Sequence, residues 1–110
     1  MICRTWRGWT SKPHADGYEA YLREELFPRL RRELRERGYR GFHILRREIA
    51  DEVEFLTLVW FDSLDAVRAF AGEQYEVPVI SPKAARLLAR YDGQCRHYEL
   101  KGSGRVARQA

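Results

Sequence analysis

WFDSLDAVRAFAG, residues 60–72, joins the end of an apolar segment to a capped amphipathic helix. The segment just before it, EFLTLVWF at 54–61, is rich in aromatic and β-branched residues with almost no polar alternation, which predicts a strand buried on both faces. Asp62 or Ser63 offers a side-chain oxygen to the free amides of a helix start, and Gly72 supplies a C-terminal stop. The stretch therefore predicts a strand followed by a helix that packs one face on a sheet.

Length and hydropathy set the domain organisation. A chain of 110 residues is large enough for a single core, which we place at residues 1–100. The remaining segment, KGSGRVARQA at 101–110, is small, polar and basic, so we expect a flexible tail. No apolar run approaches the ~20 residues needed to cross a bilayer, and MICRTWRGW has no apolar signal core. We therefore expect a cytoplasmic location and no membrane partner.

The charge pattern argues against nucleic acid as a partner. The net charge of +4 comes from 20 Lys and Arg against 16 Asp and Glu. Between Arg29 and Arg47 the arginines alternate with Glu33 and Glu36, as expected of a solvated helix face with ion pairs. No aromatic RNA-binding pattern or zinc-finger spacing accompanies them.

Sequence motifs for cofactors are also missing. There is no glycine-rich nucleotide loop, nucleophile elbow or HExxH metal pattern. Cys3 and Cys95 have no CxxC context, which predicts free thiols. We therefore expect no cofactor and no metal.

The order of the remaining elements predicts an α+β fold. The predicted segments are a strand at 2–9, a helix from 14 to 38 interrupted at Pro28, strands at 39–48 and 54–61, a helix after Ser63, a connector at 73–80, a helix from Ser81 to Asp92-Gly93 and a strand at 94–100. This order matches the ferredoxin-like arrangement, an antiparallel sheet with helices on one face.

The hairpin decides which side chains share a face. If its turn centres near Asp51, one face carries His43, Leu45, Thr57, Val59 and Phe61, and the other carries Phe42, Ile44, Leu56, Leu58 and Trp60. Both faces are mostly apolar, but the helices of so short a chain cover only one. We therefore expect the second face, with Trp60, to be buried in a homodimer.

Several segments resemble a known family. MICRTWRG, ADGYEAYL, LVWFDSLDAVRAFAG, EQYEVPV and HYEL together resemble the dimeric α/β-barrel proteins of the antibiotic biosynthesis monooxygenase type. The resemblance implies a homodimer with facing sheets and a pocket between sheet and helices in each subunit. In oxygenase members this pocket lets an aromatic phenol or quinol react with oxygen without metal or flavin.

A haem-degrading branch of the same superfamily is a poor match. That branch has an Asn in the first strand, a Trp ending the third strand and a His after the second helix. The corresponding positions here are Trp6, Phe61 and Ile80. Without the ligating His, haem degradation is not expected.

Three residues are candidates for proton transfer. His43 could remove a phenolic proton, because imidazole titrates near neutral pH, although a lone His in an apolar strand is more often a core group. His97, in the last predicted strand, could do the same from the edge of the sheet or face water. Tyr75 could reach over a pocket mouth, or cap the core with its hydroxyl in water.

Four further residues are candidates for substrate binding. Trp6 and Phe61 could stack on a flat ligand or belong to the core. Arg4 shares the face of Trp6 and could hold an oxyanion, with pairing to Glu99 or Glu19 as the alternative. Tyr98 could lie on either face.

Two functions are therefore considered. One is a cofactor-independent monooxygenase or isomerase that acts on a small aromatic or quinone-type compound. The other is a non-catalytic homodimer that binds a small molecule or serves as an assembly module.

Overall fold

Five strands form one antiparallel sheet in the part of the chain that the computed structural model describes, residues 1–106. The strands run in the order β2-β3-β1-β4, and β5 pairs with the same edge of β1 as β4 does. Their bounds are β1 Ile2–Ser11, β2 Tyr39–Ile49, β3 Glu52–Phe61, β4 Arg90–Tyr91 and β5 Arg96–Glu99. Residues 101–106 have no regular structure, and the last four residues of the predicted tail lie outside the described residues.

The helices pack on one face of this sheet, which confirms the predicted α+β ferredoxin-like fold. They are α1 Lys12–Tyr21, a π-helical turn Leu22–Leu26, α2 Phe27–Leu34, a 3-10 turn Arg35–Arg37, α3 Leu64–Ala71 and α4 Pro82–Leu87. Within residues 1–106, none of them has the length and apolar character of a membrane span.

Serine caps begin two of the helices as the sequence indicates. Ser63 Oγ accepts a hydrogen bond from the Ala66 amide at 3.2 Å, and Ser81 Oγ accepts one from the Ala84 amide at 3.1 Å. Each bond satisfies one of the free amides at a helix start.

The predicted end of the last helix, at Asp92-Gly93, is wrong. The helix ends at Leu87, because the backbone of Leu88 turns extended with ψ of 135°. The Ala89 amide then donates to the Trp9 carbonyl at 2.7 Å. Hydrogen bonding to β1 therefore replaces helix continuation, and this return brings β4 to the edge of the sheet.

Pro28 interrupts the long helix without breaking it. Proline has no amide hydrogen and its ring crowds the preceding turn, so a regular α-helix cannot run through it. Here the chain widens into the π-helical turn at Leu22–Leu26 just before α2 begins. The predicted interruption is confirmed, and the widened turn faces the sheet with Leu22 buried.

The predicted hairpin register is wrong by one residue. Ile49 pairs with Glu52, so the turn consists of Ala50 and Asp51, with Ala50 in the left-handed region at φ of 53°. The centre of the turn therefore lies between Ala50 and Asp51, half a residue before the predicted centre at Asp51. This half-residue shift changes each cross-strand pair by one residue, so the side chains of one strand lie on the opposite face from the one predicted. His43 consequently pairs with Leu58 rather than sharing the face of Val59.

The corrected register defines two different surfaces. The helix-covered face carries Val53, Phe55, Thr57, Val59 and Phe61 of β3, all buried. The other surface, here called the open face, carries the following residues from four strands: Cys3, His43, Leu45, Leu56, Leu58, Trp60 and Tyr98. Leu45 and Tyr98 are 49% and 55% exposed.

Candidate functional site

Arg4 is a buried cation inside the sheet. It lies on β1 between Val59 of β3 and His97 of β5, on the helix-covered face, and only 4% of its surface is exposed. Its Nη1 donates to the carbonyl of Tyr75, and its Nη2 donates to the carbonyl of Val77 at 3.3 Å. The guanidinium thus fastens the 73–80 connector to the sheet.

No carboxylate lies within ion-pair distance of Arg4 among residues 1–106. The alternative partners considered from the sequence bind elsewhere: Glu19 contacts Arg46 at 3.0 Å, and Glu99 contacts Lys101 at 2.8 Å. Burial lowers the pKa of Arg4, but a guanidinium still keeps its charge in proteins. The site therefore holds a positive charge that the described residues leave uncompensated.

His97 is the titratable neighbour of this cation. Its Nε2 lies 3.0 Å from Arg4 Nη1. Because guanidinium can only donate, Nε2 is the acceptor and the ring proton belongs on Nδ1. Burial, and then the charge of Arg4, lowers the pKa of His97 to about 4. At neutral pH the ring is therefore uncharged and carries a lone pair directed at Arg4.

Cys95 completes the polar cluster. It is 5% exposed and carries a free thiol. Burial raises the pKa of this thiol, and the charge of Arg4 opposes that rise. Desolvation is the larger effect, so the thiol stays protonated and supplies no counter-charge to Arg4.

A small cavity adjoins the cluster between sheet and helices. This cavity, here called the Arg4 cavity, has a volume of about 50 Å³. Its lining includes Arg4, Trp6, Thr57, Val59, Phe70, Cys95 and, from the long helix, Leu22, Leu26, Phe27 and Leu30. Most of the wall is apolar. Binding pockets for organic ligands typically measure about 300–1,000 Å³, so a ligand enters only if the walls move.

An open cleft leads from the protein surface to the same cluster. This β5 cleft has a volume of about 550 Å³, and Tyr75, Cys95 and His97 line it. Cys95 lines both the cleft and the Arg4 cavity.

Four of the seven residues predicted to form a site come together here. Arg4 and Trp6 share the helix-covered face, as predicted, and both line the Arg4 cavity. The indole nitrogen of Trp6 donates to the Asp92 carbonyl at 2.8 Å. The Tyr75 ring packs edge-on against His97, with 5.0 Å between ring centroids.

The other three predicted residues lie away from the cavity. His43 is on the open face, where its Nδ1 accepts a hydrogen bond from Trp60 Nε1 at 3.0 Å. Tyr98 is also on that face, opposite Cys3. Phe61 is 0% exposed and packs in the core between Tyr39 and Phe70.

Sequence reasoning missed Cys95 and Phe70 as site residues. Cys95 precedes His97 by two residues, so strand alternation would have placed both on one face. Phe70 follows Val67 on the apolar side of α3, and Arg4 lies over its ring at 5.4 Å. The periodicity of α3 therefore indicated that Phe70 faces the sheet, but it could not indicate that Phe70 contacts Arg4.

Comparison with solved structures shows the fold. The chain is similar to a crystal structure from Bacillus cereus described as a "putative antibiotic biosynthesis monooxygenase", with a TM-score of 0.62 and 13% sequence identity. The match covers 98% of this chain and 98% of that one. No family model matches the chain, and no curated protein matches it either. The predicted resemblance to the antibiotic biosynthesis monooxygenase type is thereby confirmed at the level of fold.

Proposed function

We propose that this protein is a cofactor-independent, monooxygenase-like enzyme for a small aromatic or quinone-type compound with an acidic hydroxyl group. The observation that carries the proposal is Arg4, a buried cation without a carboxylate partner in residues 1–106, beside an apolar cavity and a neutral imidazole. A buried charge is costly unless an opposite charge approaches it. A phenolate or enolate oxygen supplies that charge, while the rest of an aromatic ligand suits the apolar wall.

Arg4 and His97 together can generate the anion. A hydroxyl group that replaces the direct contact between Arg4 Nη1 and His97 Nε2 meets a donor on Arg4 and a lone pair on His97. The proton moves to Nε2, and the oxyanion takes the donors of Arg4. The new negative charge stabilises the imidazolium, which offsets the low pKa of His97 in the empty site.

Oxygen itself is the oxidant in this proposal. In an anthrone-type substrate, the ring CH₂ group loses two hydrogens and gains one oxygen atom as a carbonyl. The second oxygen atom leaves as water. The substrate supplies all four electrons, so the reaction balances without flavin or metal.

We further propose that the open face is the contact between two copies of the chain. Its exposed apolar residues include Leu45 and Tyr98, and Trp60 on the same face is half-buried. Exposed apolar side chains gathered on one face of a sheet are typical of an interaction site. A second copy covers it by placing the same face against itself, the commonest symmetric solution.

A second candidate function is supported by the size of the Arg4 cavity. A volume of about 50 Å³ holds one or two water molecules rather than an aromatic ring, since a water occupies about 30 Å³ of liquid. In that case Arg4 acts only as a fastener for the 73–80 connector. The protein is then a non-catalytic homodimer that serves as an assembly module.

Oxygen uptake with anthrone distinguishes these functions. If the proposal is correct, the native protein takes up oxygen and forms the quinone in equal amounts. The rate of oxygen uptake should fall at least tenfold in His97→Gln, since a positioned general base accelerates a reaction roughly 10²–10⁴-fold. His14→Ala serves as the matched control, because His14 is exposed on α1 and lines neither cavity nor β5 cleft. Uptake by neither native protein nor control favours the assembly module. Equal uptake by all three proteins removes His97 from the reaction.

A further inference from the structure

A second cleft lies between α2 and the start of β2. It has a volume of about 840 Å³, within the usual range for ligand sites. Five arginines line it: Arg23, Arg31, Arg32, Arg35 and Arg40. Among residues 1–106, no acidic residue lines it. We call this site the arginine cleft.

Three of these arginines have no ionic partner in the described residues. Arg40 forms a two-pronged ion pair with Asp62, at 2.9 and 2.6 Å, and Arg23 lies 3.6 Å from Glu19. Arg31, Arg32 and Arg35 come within 4 Å of no carboxylate in residues 1–106. Their charges are therefore available to an anion.

The spacing of these arginines causes electrostatic repulsion, which a bound anion would reduce. Arg31 and Arg35 are four residues apart, so their like charges meet on one side of the helix and repel. The helix dipole favours cations in the last turn, which accounts in part for Arg31 and Arg32. It does not explain why the charges border an aromatic surface. Guanidinium groups bind phosphate through paired N–H donors, which accounts for both the charge and the grouping.

The aromatic surface is formed by Phe27 and Phe42. Their rings stack with 4.2 Å between centroids and 6° between planes. Phe27 is buried, which fixes the pair, and Phe42 keeps 37% of its surface exposed. An exposed, held ring beside cationic side chains is a platform for stacking a planar group.

We propose that the arginine cleft binds a nucleotide, with its phosphates on Arg31, Arg32 and Arg35 and its base stacked on Phe42. A single small ligand fits better than a polynucleotide, because Glu33 and Glu36 interrupt the basic surface next to these arginines. Those carboxylates repel an extended phosphate backbone that would cross this surface. This site is separate from the Arg4–His97 cluster and does not depend on the proposed oxygenase function.

The test is a titration of the full-length protein with ATP, in which binding is measured by isothermal titration calorimetry and by changes in the amide chemical shifts. Tripolyphosphate and adenosine serve as partial ligands, and a single-stranded oligothymidylate as the competitor. The test variants are Arg31→Ala/Arg35→Ala and Phe42→Ala. The matched control is Arg29→Ala/Arg86→Ala, which removes the same charge from exposed arginines outside the cleft. Circular dichroism and thermal melting establish that each variant is folded.

The proposal expects saturable binding of ATP with shifts at the cleft, and weaker binding of tripolyphosphate. The double-arginine variant should lose roughly tenfold or more in affinity, as expected for lost charge-assisted contacts, while the control stays within about twofold. Phe42→Ala should reduce ATP binding to the level of tripolyphosphate. The proposal is overturned if the control loses as much as the test variant, if adenosine binds as well as ATP, or if oligothymidylate binds more tightly than ATP.

Discussion

The guanidinium of Arg4 and the imidazole of His97 face each other across paired strands, with Nη1 3.0 Å from Nε2. This contact joins a group that always donates to a group that can either accept or carry a proton. As long as His97 is neutral the contact is a hydrogen bond, and once His97 is protonated it becomes a repulsion between two cations. The protonation of His97 and the occupancy of the site by an anion are therefore linked.

The first prediction concerns the titration of His97. We expect its imidazole resonances to titrate at about pH 4 in the native protein, because burial and Arg4 both lower its pKa. In Arg4→Met the pKa should move upward toward the ordinary value of 6.5, but only in part, since burial is the larger cause. Proton NMR spectra across this pH range measure both values, and His97→Gln assigns the resonance. An identical midpoint in the Arg4 variant would contradict the contact.

The second prediction concerns stability against pH. The unfolded chain binds a proton at His97 below pH 6.5, whereas the folded chain does so only below about pH 4. Between these values the unfolded state binds more protons, so the free energy of unfolding falls as the pH falls. The contribution is complete above pH 6.5 and is lost by about pH 4.

Urea unfolding of the native protein and of His97→Gln isolates this contribution from that of the carboxylates, which titrate in both. We expect the stability difference between the two proteins to change across the stated window. A difference that stays constant with pH would mean that His97 has the same pKa in the folded and unfolded states.

The third prediction concerns the open face. Leu45→Asp places a charge on a side chain that is 49% exposed in one subunit, so folding of the subunit should be little affected. If the open face is buried between two copies, that charge is desolvated without a partner and the dimer should dissociate. Sedimentation equilibrium measures the result, with Val106→Asp as the control at an exposed position. If Leu45→Asp and the Val106→Asp control are both dimeric, the contact between subunits must lie on a surface other than the open face.

The fourth prediction separates backbone strain from steric overlap. Gly38 and Gly72 both have positive φ, 103° and 86°. A Cβ at Gly38 would lie 2.6 Å from the Cβ of Ala66, whereas at Gly72 it would meet nothing within 4 Å. Both substitutions to Ala should destabilise the protein by about 1–3 kcal/mol from strain, since Gly72, with ψ of −175°, also lies in a region essentially restricted to glycine. Gly38→Ala adds a steric overlap with Ala66 that Gly72→Ala does not have. Thermal and urea unfolding measure the difference. Equal losses would show that the junction relaxes.

The sequence carried enough information for the order of elements and for the helix caps. The helix caps at Ser63 and Ser81 could be predicted from the sequence, because capping depends on a residue and its next three neighbours. The faces of the hairpin could not be predicted, because a half-residue shift of the turn exchanges them. Nothing in the turn sequence indicated that Ala50 would adopt a positive φ. His43 was assigned to the wrong face for that reason alone.

The candidate site was predictable in part for a similar reason. Alternation along β1 placed Arg4 beside Trp6, which is a local property of one strand. The partners of Arg4 depend on carbonyl groups of the 73–80 connector, 71 and 73 residues away along the chain. Irregular segments have no periodicity from which such a contact can be deduced. That no carboxylate of residues 1–106 pairs with Arg4 could be established only from the fold.

The most direct test of the account is whether Arg4 stabilises a bound oxyanion. The measurement is the pH titration of 4-nitrophenol in the presence of the protein, followed by the visible absorption of its phenolate. We expect saturable binding and a bound phenol whose pKa lies below that of the free compound, because a buried cation favours the anion. Arg4→Lys should keep the lowered pKa, and Arg4→Met should lose it. A bound pKa that is the same in native protein and Arg4→Met, or no saturable binding at all, would contradict the account.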